Sequence, residues 1–129
     1  MMEKDLVDAL GVACDCPSYY GMQPQPDDGA PAPLPVVITN RSASEWFGAF
    51  CGTDTRLSNA TIQVDYYADT AEAARRMADT GRDVLASYDD NGASGTGTLD
   101  SEVSYYDEES RAWRVMQRWT IPDYHPSIS

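Results

Sequence analysis

The stretch "IQVDYYADTAEAARRMADTGRDVL", Ile62 to Leu85, begins with the alternation of a strand and ends with the spacing of a helix. Ile62, Val64 and Tyr66 point one way, while Thr61, Gln63, Asp65 and Tyr67 point the other, which predicts a half-buried strand over 60–68. Asp69 or Thr70 can then accept backbone N–H bonds as an N-cap, and Asp69 with Glu72 forms a capping-box arrangement. Beyond it Ala74, Met77, Ala78, Gly81, Val84, Leu85 and Tyr88 recur at intervals of three and four, an apolar stripe opposite Arg75, Arg76, Asp79, Arg82 and Asp83. Gly81 costs a helix up to about 1 kcal/mol relative to alanine, a penalty that close packing can offset. The expected unit is a strand whose helix folds back on its own sheet.

Outward from that unit, Leu34 to Arg41 is rich in β-branched residues and suits a first strand. Met1 to Ala13 has helical spacing at Leu6, Val7 and Leu10, with breakers at Gly11 and Pro17. Pro17 to Pro35 holds six prolines and two glycines and is expected to be a connector over about 17–35. The segment "SASEWFGAFCGTDTRLSN" combines Trp46, Phe47 and Phe50 with Gly48 and Gly52, which fits either a loop with an apolar tip or a strand extension tucked into the core. After "DDNGASGTG", alternating runs at 98–106 and 111–121 predict a hairpin. In its second strand Trp113, Val115, Gln117, Trp119 and Ile121 share one face, and Arg114, Met116, Arg118 and Thr120 the other. The tail from about 122 to 129 reads as loose.

The expected fold is α+β, within a single domain over 1–129. A small mixed or antiparallel sheet of about four strands packs against a central helix at about 70–88 and a short N-terminal helix. A chain of 129 residues, 42% hydrophobic, is long enough for one ordinary domain with its own core.

Charge narrows the function classes. With 21 acidic residues against nine basic ones the formal charge is −12, and such a surface repels nucleic acid and anionic lipid. No apolar run approaches the roughly 20 residues that span a bilayer, and the acidic start lacks the order of a signal peptide, so the expectation is a cytosolic chain without a membrane partner. In that setting the sequons at Asn40 and Asn59 carry little meaning.

Signals for catalysis or cofactors are sparse. Cys14-Asp15-Cys16 is too tight for an ordinary zinc pair, and Cys14, Cys16, Cys51 and His125 lack ligand spacing, so reduced thiols are expected. "NGASGTG" has no Lys-Ser/Thr successor and opens no helix pattern, unlike a phosphate loop. His125 has no nucleophile or base beside it in any local motif. The acidic pairs Asp27-Asp28 and Asp89-Asp90 and the run Asp107-Glu108-Glu109 do not follow a calcium loop's alternation of oxygens. The expectation is a protein that is not an enzyme, with no catalytic residues, metal or cofactor.

The order "RLSNATIQVDYYADTAEAARRMADTGRDVLASYDD", a glycine-rich gap, then "VSYYDEESRAWRVMQRWTI" resembles the tail-terminator or tail-completion proteins of long-tailed bacteriophages. The resemblance covers residues 34 to 121 and rests on Tyr66, Tyr67, Thr70, Glu72, Ala73, Leu85, Arg114, Arg118 and Trp119; the proline-rich, acidic Pro24–Pro35 stretch departs from it. It implies a subunit of a hexameric ring in the virion, assembled in the host cytoplasm. The ring caps the tail-tube protein, stops its polymerisation and presents a face to the head connector or stopper. Genomic DNA passes through without sequence-specific binding. Six such subunits carry −72 at −12 each, which disfavours gripping phosphate. A closed ring needs a heterologous interface, for which Asp65, Glu102, Arg114 and Arg118 are the charge-pairing candidates. Trp46, Phe47 and Phe50 are the candidate anchors for a partner. Another neck component, or a small ligand-binding domain of the same class, are the alternatives.

Overall fold

The computed structural model describes residues 2–21, 34–47, 55–88, 97–108 and 111–126, with backbone alone along 2–3, 42–47, 55–59 and 122–126. Within them the order is α1 (Met2–Cys14), β1 (Ser18–Tyr20), β2 (Val36–Phe47), β3 (Thr55–Ala68), α2 (Ala71–Ala86), β4 (Thr98–Asp107) and β5 (Ala112–Pro126). The strands form one sheet ordered β1-β2-β3-β5-β4. β1 runs parallel to β2, and the other neighbours are antiparallel. The fold is therefore α+β with a mixed sheet, as expected, but with five strands in place of about four.

The β3–α2 unit follows the sequence closely. Ile62, Val64 and Tyr66 have no exposed surface. Only Asp69 and Thr70 separate strand from helix, and Thr70 is the cap, its Oγ1 accepting the Ala73 N–H at 3.1 Å. The Asp69–Glu72 capping box is not the arrangement seen: Glu72 instead accepts from Arg76 Nη2 at 3.0 Å, one turn along. The helix ends at Ala86, two residues short of the expected end, with Ser87 as its C-cap. Ala74, Met77, Ala78, Gly81 and Leu85 are buried, and Val84 and Tyr88 pack beside the core. Gly81 faces the Tyr66 ring so closely that a Cβ there would lie 2.7 Å from its Cε1.

α1, expected over Met1 to about Ala13, spans Met2–Cys14 and stops there because Asp15 takes the left-handed conformation (φ 51°). There the Cys16 N–H donates to Gly11 O and the Asp15 N–H to Val12 O, the paired bonds of a Schellman ending. Three other expectations are corrected. The connector contains β1, held by the bond from Val37 N–H to Pro17 O at 3.0 Å. The loop reading of 42–59 gives way to strand at both ends, since β2 and β3 stay paired from Val36↔Tyr67 to Phe47↔Leu57. Finally, the tail is not loose to 126: β5 continues along β3 as far as Pro126, opposite Thr55.

One face of the sheet carries the core. Val37, Ile62, Val64, Tyr66, Val115 and Trp119 meet Leu6 and Leu10 of α1 and the apolar stripe of α2. On the opposite face Val36 and Ile38 are also buried, next to Tyr67 and Asp65 in the pairing of β2 with β3. Among the described residues no helix is long and apolar enough to cross a membrane.

Candidate interaction site

The polar residues of β5 divide between the two faces as the alternation dictates. On the helix-covered face Gln117 is fully buried in the core and uses all its hydrogen-bonding capacity. Its Oε1 accepts from Tyr66 Oη at 3.0 Å and from Trp119 Nε1 at 3.1 Å. Its Nε2 donates to Ala78 O of α2 at 3.1 Å and to Glu102 Oε1 of β4 at 2.9 Å. A buried amide left unpaired costs about 1–3 kcal/mol, so a hub with every bond made fixes the relative positions of β3, β4, β5 and α2. Burial pushes the Tyr66 phenol far above its ordinary range, and the charges of Glu102 and Asp65 add to this, so Tyr66 remains the donor.

Glu102 extends the hub to the surface. Its Oε2 accepts from Arg75 Nη1 at 3.0 Å and Arg82 Nη2 at 2.9 Å, both on α2. Burial raises its pKa, but the hydrogen bond from Gln117 and the two guanidinium groups outweigh burial and hold the carboxyl below its usual range. On the opposite face Arg114 donates from Nε to Asp65 Oδ1 at 3.0 Å, and its Nη2 lies 2.9 Å from the same oxygen. Arg114 Nη1 donates to Tyr105 Oη at 2.6 Å, and the guanidinium lies over the rings of Tyr67 and Tyr105 at 5.3 and 5.5 Å. Burial and the Asp65 charge push the Tyr67 phenol up to about 12.

Of the four charge-pairing candidates, Asp65 and Arg114 thus meet each other within the chain, and Glu102 is held by Arg75 and Arg82 of the same chain. Arg118 is exposed, opposite Gln63 and Ser101 in the ladder. Trp46 and Phe47 lie in the outer part of β2, opposite Ser58 and Leu57, while Phe50 and Cys51 fall outside the described residues. Sequence reasoning missed Gln117 as a hub because three of its four partners come from separate segments, β3, α2 and β4. Arg75 and Arg82 read only as the solvent side of a helix.

The thiols of Cys14 and Cys16 are free. Cys14 Sγ lies 3.7 Å from Met77 O as a donor, and burial, with Cys16 beside it, pushes its pKa up to about 11. Among the described residues no group of three or more His, Cys, Asp or Glu is placed to hold a metal ion.

Among the described residues several exposed apolar side chains gather at the β4 end of the sheet, on both of its faces. Val103 and Tyr106 are each 47% exposed, Tyr105 37% and Trp113 of the adjoining strand 36%. Tyr106 and Trp113 meet edge to face, with ring centroids 5.3 Å apart. Such a surface offers a partner rigid aromatic area, and its chemistry is that of recognition. Compared with known proteins, the sequence matches no family model and no curated protein.

Proposed function

We propose that this chain is a structural virion subunit that forms a ring at the head-proximal end of a phage tail. There it ends tube polymerisation and joins the tail to the head connector. The supporting observation is the seating of α2. Rooted at Thr70, it lies on the sheet face formed by β3 and β5, so the strand, helix and hairpin that carry the resemblance belong to one body. The action is steric: docking on the last tube ring covers the surface on which the next would add. Trp46, Phe47 and Phe50 are the anchors, and the charge of −12 lets the genome slide through the ring without adhering.

Electron microscopy of virions carrying a labelled subunit tests this reading, together with tails assembled in its absence. The expected result is label confined to the head-proximal tail end, and tubes of uncontrolled length when the subunit is missing. Label on the capsid surface, or tails of normal length without the subunit, overturns it.

A further inference from the structure

We propose that the outer edge of β4 docks an extended, cationic segment of a partner protein, which adds to the sheet as a further strand. Among the described residues β4 is the last strand in the order β1-β2-β3-β5-β4, and β5 pairs with one side of it only. Sheet edges left open to solvent are ordinarily blunted by shortness, charged side chains, proline, bulges or a covering segment. β4 runs for ten residues, "TLDSEVSYYD", with neither proline nor lysine, and its two blunting features, the exposed Asp100 and a register shift between Leu99 and Ser101, lie together at its beginning. Past that shift the backbone stays in register with β5 to Asp107. Main-chain groups supply affinity in strand addition, and alternate side chains supply selectivity.

The side chains specify the occupant. Val103 and Tyr105 offer apolar contact on one face of the sheet, Tyr106 with Trp113 on the other. From Thr98 to Glu108 there are four acidic residues, Asp100, Asp107, Glu102 and Glu108, and no basic one. Glu102 is engaged by Arg75 and Arg82 of α2, and Asp107 lies 3.9 Å from Arg114 Nη1, while Asp100, which accepts from Thr120 Oγ1, and Glu108 are exposed near the two ends of the strand, with the exposed Arg118 across from Ser101 between them. Lysine or arginine alternating with apolar residues complements this edge. Arg114, over the rings of Tyr67 and Tyr105, shows in the same sheet how aromatic residues accept a guanidinium.

A second copy suits the edge less well. Antiparallel self-pairing that sets Val103 across from Tyr105 also sets Asp100 across from Glu108, at both ends, between two chains of charge −12. The proposal concerns the edge alone and does not depend on a ring.

The test uses the full chain and a labelled decapeptide alternating lysine and valine, with a control of equal charge interrupted by two prolines. Binding is measured by fluorescence anisotropy, the site by hydrogen exchange, and the mass of the free protein by light scattering. The expected result is slowed exchange along 98–107 with the alternating peptide, and at least about tenfold weaker binding of the control. The substitutions Val103→Lys and Tyr106→Lys, at exposed positions, are each expected to weaken binding by about tenfold, which is ~1.4 kcal/mol. Unchanged melting temperatures would show that these variants still fold. Equal binding of both peptides, protection elsewhere, or no protection at millimolar peptide overturns the proposal. So does a free protein that is already dimeric with β4 protected, since the occupant is then a second copy. Virion microscopy reads the ring separately, so either idea can fail while the other stands.

Discussion

Replacing Gly81 with alanine sets two magnitudes against each other. Helix propensity alone predicts a gain of up to about 1 kcal/mol, because glycine is a poor residue inside α2. The structure predicts a loss, since the new methyl would enter the Tyr66 ring, 2.7 Å from Cε1. That ring cannot easily yield. Tyr66 has no exposed surface, and its hydroxyl donates to Gln117 at 3.0 Å. Overpacking of this kind costs about 1–3 kcal/mol, and moving the phenol would also weaken a buried hydrogen bond. A net destabilisation of about 2 kcal/mol follows once the helix gain is deducted. For 129 residues, at roughly 2 cal/mol/K of unfolding entropy per residue, the melting temperature falls by about 8 °C. Calorimetry on Gly81→Ala, Tyr66→Leu and the double variant measures this directly. Leucine in place of the ring makes room for the methyl, so the expected coupling is about 1–2 kcal/mol in favour of the double variant. A higher melting temperature for Gly81→Ala, or strictly additive losses, would refute the reasoning.

Three further expectations rest on single side chains. Thr39 is fully buried, and its Oγ1 has no hydrogen-bond partner among the described residues, so Thr39→Val is expected to raise stability by about 1 kcal/mol in urea unfolding. The lowered pKa of Glu102 means that its charge stabilises the fold above the carboxyl's unfolded pKa of about 4.5, and that this contribution is lost as pH falls through the folded value. Glu102→Gln should therefore be less stable than the parent at pH 7, and the gap should shrink below about pH 4.5; a gap independent of pH contradicts the assignment. With its pKa near 11 rather than 9.0, Cys14 holds roughly 100-fold less thiolate at neutral pH than an ordinary thiol. Alkylation followed by mass spectrometry should find it slow in the native protein and fast in denaturant.

What was legible in the sequence is local in its causes. The β3–α2 unit could be read because a period of two gives way to a period near 3.6 across two capping residues, and burial follows that pattern along both elements. The two faces of β5 were legible for the same reason. β1 was not, since three residues between Pro17 and Gly21 are too few to show alternation, and parallel pairing with β2 is what makes them a strand. The far halves of β2 and β3 were obscured by serines and by glycines beyond the strand ends, because ladder hydrogen bonds, which carry no side-chain signature, define them. At the candidate site, alternation set Asp65 and Arg114 on faces of their own strands, but only register brings them together. The ladder sets Asp65 across from Met116, and Arg114 reaches diagonally from two residues away.

The hub at Gln117 gives the β4 edge a property that exposure alone does not confer. Glu102 lies in the middle of that strand, and its carboxylate is tied inward by Gln117, Arg75 and Arg82. Gln117 in turn holds a carbonyl of α2 and the phenol of Tyr66. An edge strand hydrogen-bonded to one neighbour can fray, and an incoming segment must then order it at a cost in conformational entropy. Here that ordering has been done by folding, because the same contacts that seat α2 on the sheet also fix β4 against β5. Val103, Tyr105 and Tyr106 are accordingly displayed on a backbone already set for pairing. The charge at Glu102 therefore acts on recognition through position: lost with Glu102→Gln, it would loosen the edge without removing any exposed aromatic residue, and hydrogen exchange along 98–107 in the free variant would speed up before any partner is added.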